Sequence, residues 1–555
     1  MTALLTVLGV IATIVFIVCV IDIFDRIKLK KDVRKNWGKP ARRTRKDGEK
    51  TLKEAWEKAK SYRKYDSEVD DLTWYDLDFF EFFQKINNTK SSIGSEALYQ
   101  RLRNFNFSER EHKRQEKLIQ FFAENSVARE AIQYQFARLG KKDHNFVESY
   151  LSETKSQKLP HLGLYIFCAC LPFVAMLSRV VLPLEFAVLL ILASLVFNIC
   201  YYQFKKVALE VELNSMAYLV QTVSIARKIS KIQTPFQTEL QQNLTTIRSI
   251  SKFGFSFRVK SESEMEILVD YLNAIIMLPF ISYHLVLSKI IHHDKEAQAV
   301  WHLLGELEVA LAVLNLRLSS NVAICQPTFT ENFQVLAENV AHPLLTNPVA
   351  NPVNWRKNTL ITGSNASGKS TYVKAIAINC ILANTINLAF ASHISLPRAT
   401  VLTSMAIEDD IFAGDSYFVA EIKSVKRVLD LVASAQPCLC FVDEILKGTN
   451  TIERISASSG IIEWLSKHKQ TLAFVATHDI ELTEILSENC ENVHFEEQVT
   501  KENGVTFDYS LRQGPATTRN AIELLQVLQY PKEIVLEAKV MAKFFDENRK
   551  WQVLK

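Results

Sequence analysis

The chain has 555 residues, of which 48% are apolar, 23% charged and only 15 glycine, a balance that excludes disorder and collagen-like repetition and allows several helix-rich domains. Nine cysteines with no C-x-x-C pair and no regular spacing to histidine exclude a disulfide framework and a zinc site as organising devices. The mean hydropathy of +0.02 is high for a soluble protein, so membrane segments are sought first. Ala3 to Ile21 is uncharged, dense in Leu, Val and Ile, and long enough for a helix to cross hydrocarbon. It lacks the basic start and small-x-small cleavage site of a signal peptide, so residues 1–25 read as an uncleaved transmembrane anchor.

Residues 26–65 form a basic juxtamembrane segment. Between Asp25 and Lys50, twelve Lys or Arg face four acids, a net +8 in a chain whose total is +4. Such a block belongs on the cytoplasmic side, beside anionic lipid, which orients the anchor with its N-terminus outside. A nucleic-acid-binding arm is the alternative reading of the same charges. Residues 66–158 are charged, free of proline and apolar at three and four spacing, as in Leu118, Phe121 and Phe122, and read as the first part of a helical core. Residues 159–205 read as a transmembrane hairpin. Two uncharged runs, Leu159 to Ser178 and Phe186 to Phe204, are separated by a link holding Arg179 and Glu185, with Lys205 and Lys206 closing the second. Everything beyond Lys205 is then expected on the cytoplasmic side.

Residues 206–335 continue the helical core. Within them the uncharged stretch 271–288 is interrupted by Asn273, Pro279, Ser282 and His284 and reads as a buried core helix, because a fourth crossing would carry the following domain outside. A proline-marked strand region spans Cys325 to Pro352. From Thr359 onward short apolar runs alternate with amphipathic helices, the pattern of a parallel sheet covered by helices.

Three strand ends in this last region carry chemistry. Gly363-Ser364-Asn365-Ala366-Ser367-Gly368-Lys369-Ser370-Thr371 fits G-x-x-x-x-G-K-[ST] and stands between a strand, Leu360 to Thr362, and a helix. Glycines there let backbone amides turn to phosphates, Lys369 reaches the β and γ phosphates of ATP, and Ser370 offers a hydroxyl to Mg²⁺. The apolar run Cys438 to Val442 ends in Asp443 and Glu444. Asp443 is placed to hold the magnesium water shell and Glu444 to orient or deprotonate an attacking water. The run from Thr471 ends in Thr477, His478 and Asp479, where His478 can donate to the γ phosphate.

In order and spacing these motifs resemble the ABC-type ATPase of the MutS mismatch-repair family. The family's T-G-P-N-M-G-G-K-S-T is matched from Thr362 to Thr371 with departures at Ser364, Ala366 and Ser367, and its D-E-x-x-x-G-T by Asp443, Glu444, Gly448 and Thr449. Its S-x-F-x-x-E signature is similar to Ser416 through Glu421, its H-P to His342 and Pro343, and its C-terminal helical dimerisation segment to Gly514 through Ala538. More weakly, Thr89 to Arg103 and Gly305 to Glu308 resemble parts of the family's helical core. The resemblance implies an α/β P-loop (ABC-type) ATPase domain, 336–514, joined to an all-α core domain and a helical dimerisation segment, 515–555, to which the apolar runs add three predicted transmembrane helices. It also implies a homodimer in which Ser416 of one copy completes the nucleotide site of the other, with ATP and Mg²⁺ as cofactors and DNA as a partner. The family's mismatch-reading and connector domains have no counterpart in this sequence, so DNA contact without mismatch selectivity is expected. Membrane lipid is the further expected partner. A membrane-anchored, multi-pass ATPase with its catalytic domain in the cytoplasm is the leading expectation, with an ABC transporter-related ATPase or a nucleotide-gated membrane scaffold as alternatives.

Overall fold

A computed structural model describes residues 2–41, 48–142, 146–153, 161–257, 264–364, 367–405, 417–500, 504–516 and 521–553. The chain divides into two compact units, one formed by Met1–Lys64, Gln84–Gln100 and Arg110–Ser319, the other by Tyr65–Phe83, Arg101–Glu109 and Ser320–Lys555. Segments 65–83 and 101–109, which lie within the stretch read from sequence as helical core, therefore belong to the unit that carries the strands.

The first unit is helical. Its backbone opens as one helix, Thr2–Asn36, with Arg34 and Lys35 in the last turn, where the helix dipole favours cations. The C-terminal half of that helix packs on Ser126–Leu139, with Arg34 Nε 2.6 Å from Glu130 Oε2 and the Lys30 ammonium over the Tyr134 ring. The turn that follows is tied to the core by Asn315, whose Oδ1 accepts from the Gly38 amide at 2.8 Å and whose Nδ2 donates to the Lys39 carbonyl at 2.9 Å.

Among the described residues three helices are long and apolar enough to cross a membrane: Leu162–Val180, Leu184–Ala208 and Asp294–Ser319. The third is the central helix of its unit, since 89% of its apolar window is buried inside the protein. In its middle the Glu308 carboxylate accepts from the Lys90 amide at 2.6 Å and from the Ser91 hydroxyl, and burial pushes its carboxyl up to about 7. Gly94 must be glycine there, because a Cβ would stand 2.4 Å from Glu308 Oε2. The other two helices behave in the opposite way. They pack side by side and leave most of their apolar surface uncovered, including Phe167, Phe173, Leu189 and Phe197, each more than half exposed.

The stretch 271–288, expected as one core helix, is not one helix. The backbone breaks at Met277, whose φ of 50° is left-handed, and the pieces Asp270–Ile276 and Leu278–His292 meet at 71°. Pro279 explains the break, since it has no amide for the carbonyl four residues earlier. The second piece does bury Phe280, Tyr283, Val286 and Leu287 as expected, but Tyr271, Leu272 and Leu285 are exposed.

The second unit is built on two larger sheets, with two further two-stranded ribbons among its described residues. Among its described residues, one sheet has six strands in the spatial order Arg512–Gln513, Cys490–His494, Asn358–Thr362, Thr471–Ala476, Cys438–Asp443 and Thr400–Ser404. All neighbours are parallel except the short edge strand Arg512–Gln513. Helices cover both faces of such a sheet, which is why its central strands are buried almost residue by residue rather than on alternate positions. A four-stranded sheet holds Val335–Val340, Asn351–Trp355, His393–Leu396 and Thr328–Phe329. Trp355 joins the two, its ring 5.1 Å from Phe441 and 5.5 Å from Phe474. The early segment 65–83 is anchored to this unit by Asp76, which accepts from Thr403 Oγ1 at 2.6 Å and from the Met405 amide at 3.0 Å. At the end of the chain, Ala521–Val527 packs on Lys532–Asn548, whose Ile534, Leu536 and Val540 are exposed.

Candidate functional site

Three neighbouring parallel strands end at one edge of the large sheet. Ala476 pairs with Ile361 on one side and with Asp443 on the other, so Gly363, Glu444 and His478 leave the sheet within a residue or two of the same level. Ligands in open α/β sheets bind at this carboxyl edge.

The loop from Gly363 to Gly368 runs from the first of these strands into the helix Lys369–Ile386. Both glycines are required by geometry. Gly363 has φ 140° and a Cβ there would stand 2.6 Å from the Phe495 carbonyl oxygen; Gly368 has φ 108° and faces the Tyr509 ring. The Ser367 hydroxyl donates to the Ser364 carbonyl at 2.9 Å. Asn365 and Ala366 lie outside the described residues, as does Ser416. The N-terminus of the following helix, with its unsatisfied amides and positive dipole end, points an anion-binding surface at the loop.

Lys369 is buried and its ammonium donates to the Gly363 carbonyl at 2.6 Å and the Ser364 carbonyl at 2.9 Å. The Ser370 hydroxyl donates to Asp443 Oδ2 at 2.6 Å, which joins the helix start to the end of the acidic strand. Thr371 lines the same cavity. Next to Asp443, Glu444 occupies the left-handed region at φ 62°, a conformation that costs a non-glycine residue about 1 kcal/mol and is held here by its amide donating to the Ala476 carbonyl at 2.9 Å. Its carboxylate lies between two bases, 3.0 Å from His478 Nε2 and 3.1 Å from Lys447 Nζ. The hydrogen bond with His478, aided by Lys447 and opposed by partial burial, draws the Glu444 carboxyl down to about 2. Lys369 Nζ also lies 3.4 Å from His478 Nε2, a nitrogen that cannot donate to the carboxylate and accept from the ammonium together. The shorter carboxylate contact calls for the proton on Nε2.

Several groups that support the site were not visible as site residues in the sequence. Glu421, noticed there only as the last letter of a signature, is buried and accepts from the Lys447 amide at 2.7 Å and the Gly448 amide at 3.3 Å, so it holds the loop behind Glu444. Arg454 grips Asp479 with two bonds of 2.8 and 2.5 Å and fixes the residue after His478. Asn351 accepts from the Leu511 amide and donates to the Tyr509 carbonyl, both at 2.9 Å, and so sets Tyr509 over Gly368. Nothing in the spacing of Asn351 or Tyr509 marks them.

A cavity of about 540 Å³ is lined by Lys369, Ser370, Asp443, Glu444 and His478 together with His342, Leu345, Val349 and Tyr509. Its volume is that of an ordinary small-ligand site. Ser370 and Asp443 suit Mg²⁺, which takes one or two protein oxygens and completes its shell with phosphate and water.

Residues 359–546, which contain every described element of this site from the glycine loop to Tyr509, match the family model for MutS domain V. Over these residues the chain is similar to the MutS family. It is similar to the DNA mismatch repair protein MutS of Listeria welshimeri, at 28% identity over 239 residues, 40% of this chain and 27% of that protein. It is likewise similar to the DNA mismatch repair protein MutS of Aquifex pyrophilus, at 28% identity over 263 residues, 45% of this chain and 30% of that protein. The shared part thus spans less than a third of the length of these MutS relatives.

Proposed function

We propose that this chain is a membrane-anchored MutS-like ATPase that binds and hydrolyses ATP as a dimer. One observation carries the catalytic part: Lys369, Ser370, Asp443, Glu444 and His478 converge on one cavity at the carboxyl edge of a parallel sheet. Lys369 and the helix start bind the phosphates, and Tyr509 with His342 bounds the space left for the base. Ser370 and Asp443 would hold Mg²⁺, which would supply neutralising charge beside the phosphates. Glu444 accepts a hydrogen bond from the attacking water and orients it, and the His478 Nε2 proton, which faces Glu444 in the structure, turns to the γ phosphate when ATP is bound. The homodimer rests on family resemblance, with Ser416 completing the partner's site, and the exposed apolar face of Lys532–Asn548 supports it.

The membrane part is supported by the uncovered hairpin Leu162–Ala208 and by the Lys205 and Lys206 pair at its end. With Ala3 to Ile21 as the first span, the N-terminus is outside and residues 24–158 and the ATPase domain are cytoplasmic. Cysteine labelling from outside the cell, in a thiol-free background, checks this. A probe at position 180 is expected to react and one at 503 to stay unlabelled; the reverse pattern would overturn the orientation.

DNA is the partner we infer from the family, gripped by backbone phosphates rather than read at mismatches, with the positive charge of residues 25–50 shared between DNA and lipid. Full-length protein in nanodiscs should bind matched and mismatched duplexes with similar affinity and lose both steeply with salt. A preference for the mismatch beyond about tenfold, roughly 1.4 kcal/mol, would contradict the lack of selectivity. No binding at low salt would remove DNA as partner.

A further inference from the structure

The hairpin and the broken helix meet at one side chain. Asn198, fully buried, sits in the second hairpin helix and sends its amide nitrogen to two backbone carbonyls, Cys168 at 2.7 Å and Ile275 at 2.8 Å. Each of these carbonyls stands four residues before a proline: Cys168 before Pro172, inside the first hairpin helix, and Ile275 before Pro279, at the elbow. Proline has no amide, so both carbonyls lose their helical donor. The two hydrogens of one Asn amide replace both missing donors, and since both neighbours are acceptors, the nitrogen is the atom that must face them. Around this junction the packing is aromatic and apolar: Phe280 lies with its ring 5.1 Å from that of Tyr165 and 5.3 Å from that of Tyr202, with Cys168, Ala274 and Met277 buried beside it.

Depth follows from the charges. Asp270, just before the elbow, accepts from Tyr202 at 2.9 Å and pairs with Lys206 at 2.8 Å, at the end of the hairpin where a Tyr and Lys layer marks a membrane interface. Asn198 lies eight residues before Lys206, roughly 12 Å farther along the helix into the apolar span. The chain from Asp270 to Ile275 therefore climbs from the charged layer toward the level of Asn198, and it does so with Tyr271 and Leu272 half exposed. In hydrocarbon a broken helix is tolerated only where its freed backbone groups find partners, and Asn198 supplies one for the Ile275 carbonyl.

We propose that the elbow at Met277 dips into the cytoplasmic leaflet beside the hairpin, with lipid acyl chains against Tyr271 and Leu272 and with Asn198 as the residue that holds it there. The elbow enters and returns on the same side, so the orientation of the ATPase domain is unchanged. This rests on the membrane reading of the hairpin, and the two are separable by experiment. Full-length protein, free of native thiols, carries a single fluorophore-labelled cysteine at position 189 in the hairpin, at 272 beside the elbow, or at 245 on the helical core, where Thr245 is exposed. Each is reconstituted into phosphatidylcholine and phosphatidylglycerol vesicles with or without brominated acyl chains. Strong quenching is expected at 189, at least half as much at 272, and under a tenth as much at 245. Quenching at 189 with a response at 272 no greater than at 245 would overturn the elbow proposal and leave the hairpin in the membrane; no quenching at 189 would overturn the hairpin itself. In Asn198→Leu, which offers no donor, quenching at 272 should fall at least twofold while that at 189 holds. Unchanged quenching at 272 would remove Asn198 from the account.

Discussion

Glu444→Gln should leave nucleotide binding within about twofold of wild type and lower ATP turnover by about 10² or more. The amide keeps the size of the side chain and can still accept from His478, so the cavity keeps its shape, but the negative charge that two bases hold in place is gone. That charge is what an attacking water can be aligned against. With its carboxyl drawn down to about 2, Glu444 is ionised throughout the neutral range and binds a proton weakly, which favours the proposed part of orienting water through a hydrogen bond over storing the proton. Phosphate release by the variant, set beside binding of a fluorescent ATP analogue, separates the two effects. Turnover equal to wild type would remove Glu444 from the reaction.

Lys369→Ala should act on binding first. The ammonium is buried, faces the loop carbonyls of Gly363 and Ser364, and is the positive side chain nearest the helix start where phosphates would lie. Charge-assisted bonds of this kind contribute about 1.5–3 kcal/mol, so the dissociation constant for ATP should rise roughly 10- to 100-fold. Titration of the fluorescent analogue against full-length protein in detergent measures this, and an unchanged affinity would mean that the phosphates lie elsewhere. The contrast between the variants is informative in itself: loss of binding belongs to Lys369 and loss of turnover with binding kept belongs to Glu444.

Much of the site could be read from the chain because it is local. Gly363 to Thr371, Asp443 with Glu444, and His478 each sit at the end of an apolar run, and a parallel sheet brings such ends to one edge whatever the intervening loops do. The supporting residues were hidden because their meaning lies in distant partners. Glu421 matters through the amides of Lys447 and Gly448, Arg454 through Asp479, and Asn351 through Tyr509, and no spacing rule joins those pairs. The same limit explains the two units. Amphipathic periodicity marks Asp71–Asp76 as helical but says nothing about which neighbour its Asp76 will meet, and that neighbour is Thr403 in the strand-bearing unit. At 271–288 the sequence displays Pro279 openly, yet a buried helix and a broken one share the same composition. What distinguishes them is Asn198, some 80 residues away, which accommodates the break.

Full-length protein in nanodiscs, given saturating ATP with and without Mg²⁺, tests the central claim most directly through the rate of phosphate release. The account predicts steady release that requires Mg²⁺ and stays with the nanodisc fraction. Absence of release above a protein-free control, or release that does not depend on Mg²⁺, would contradict it.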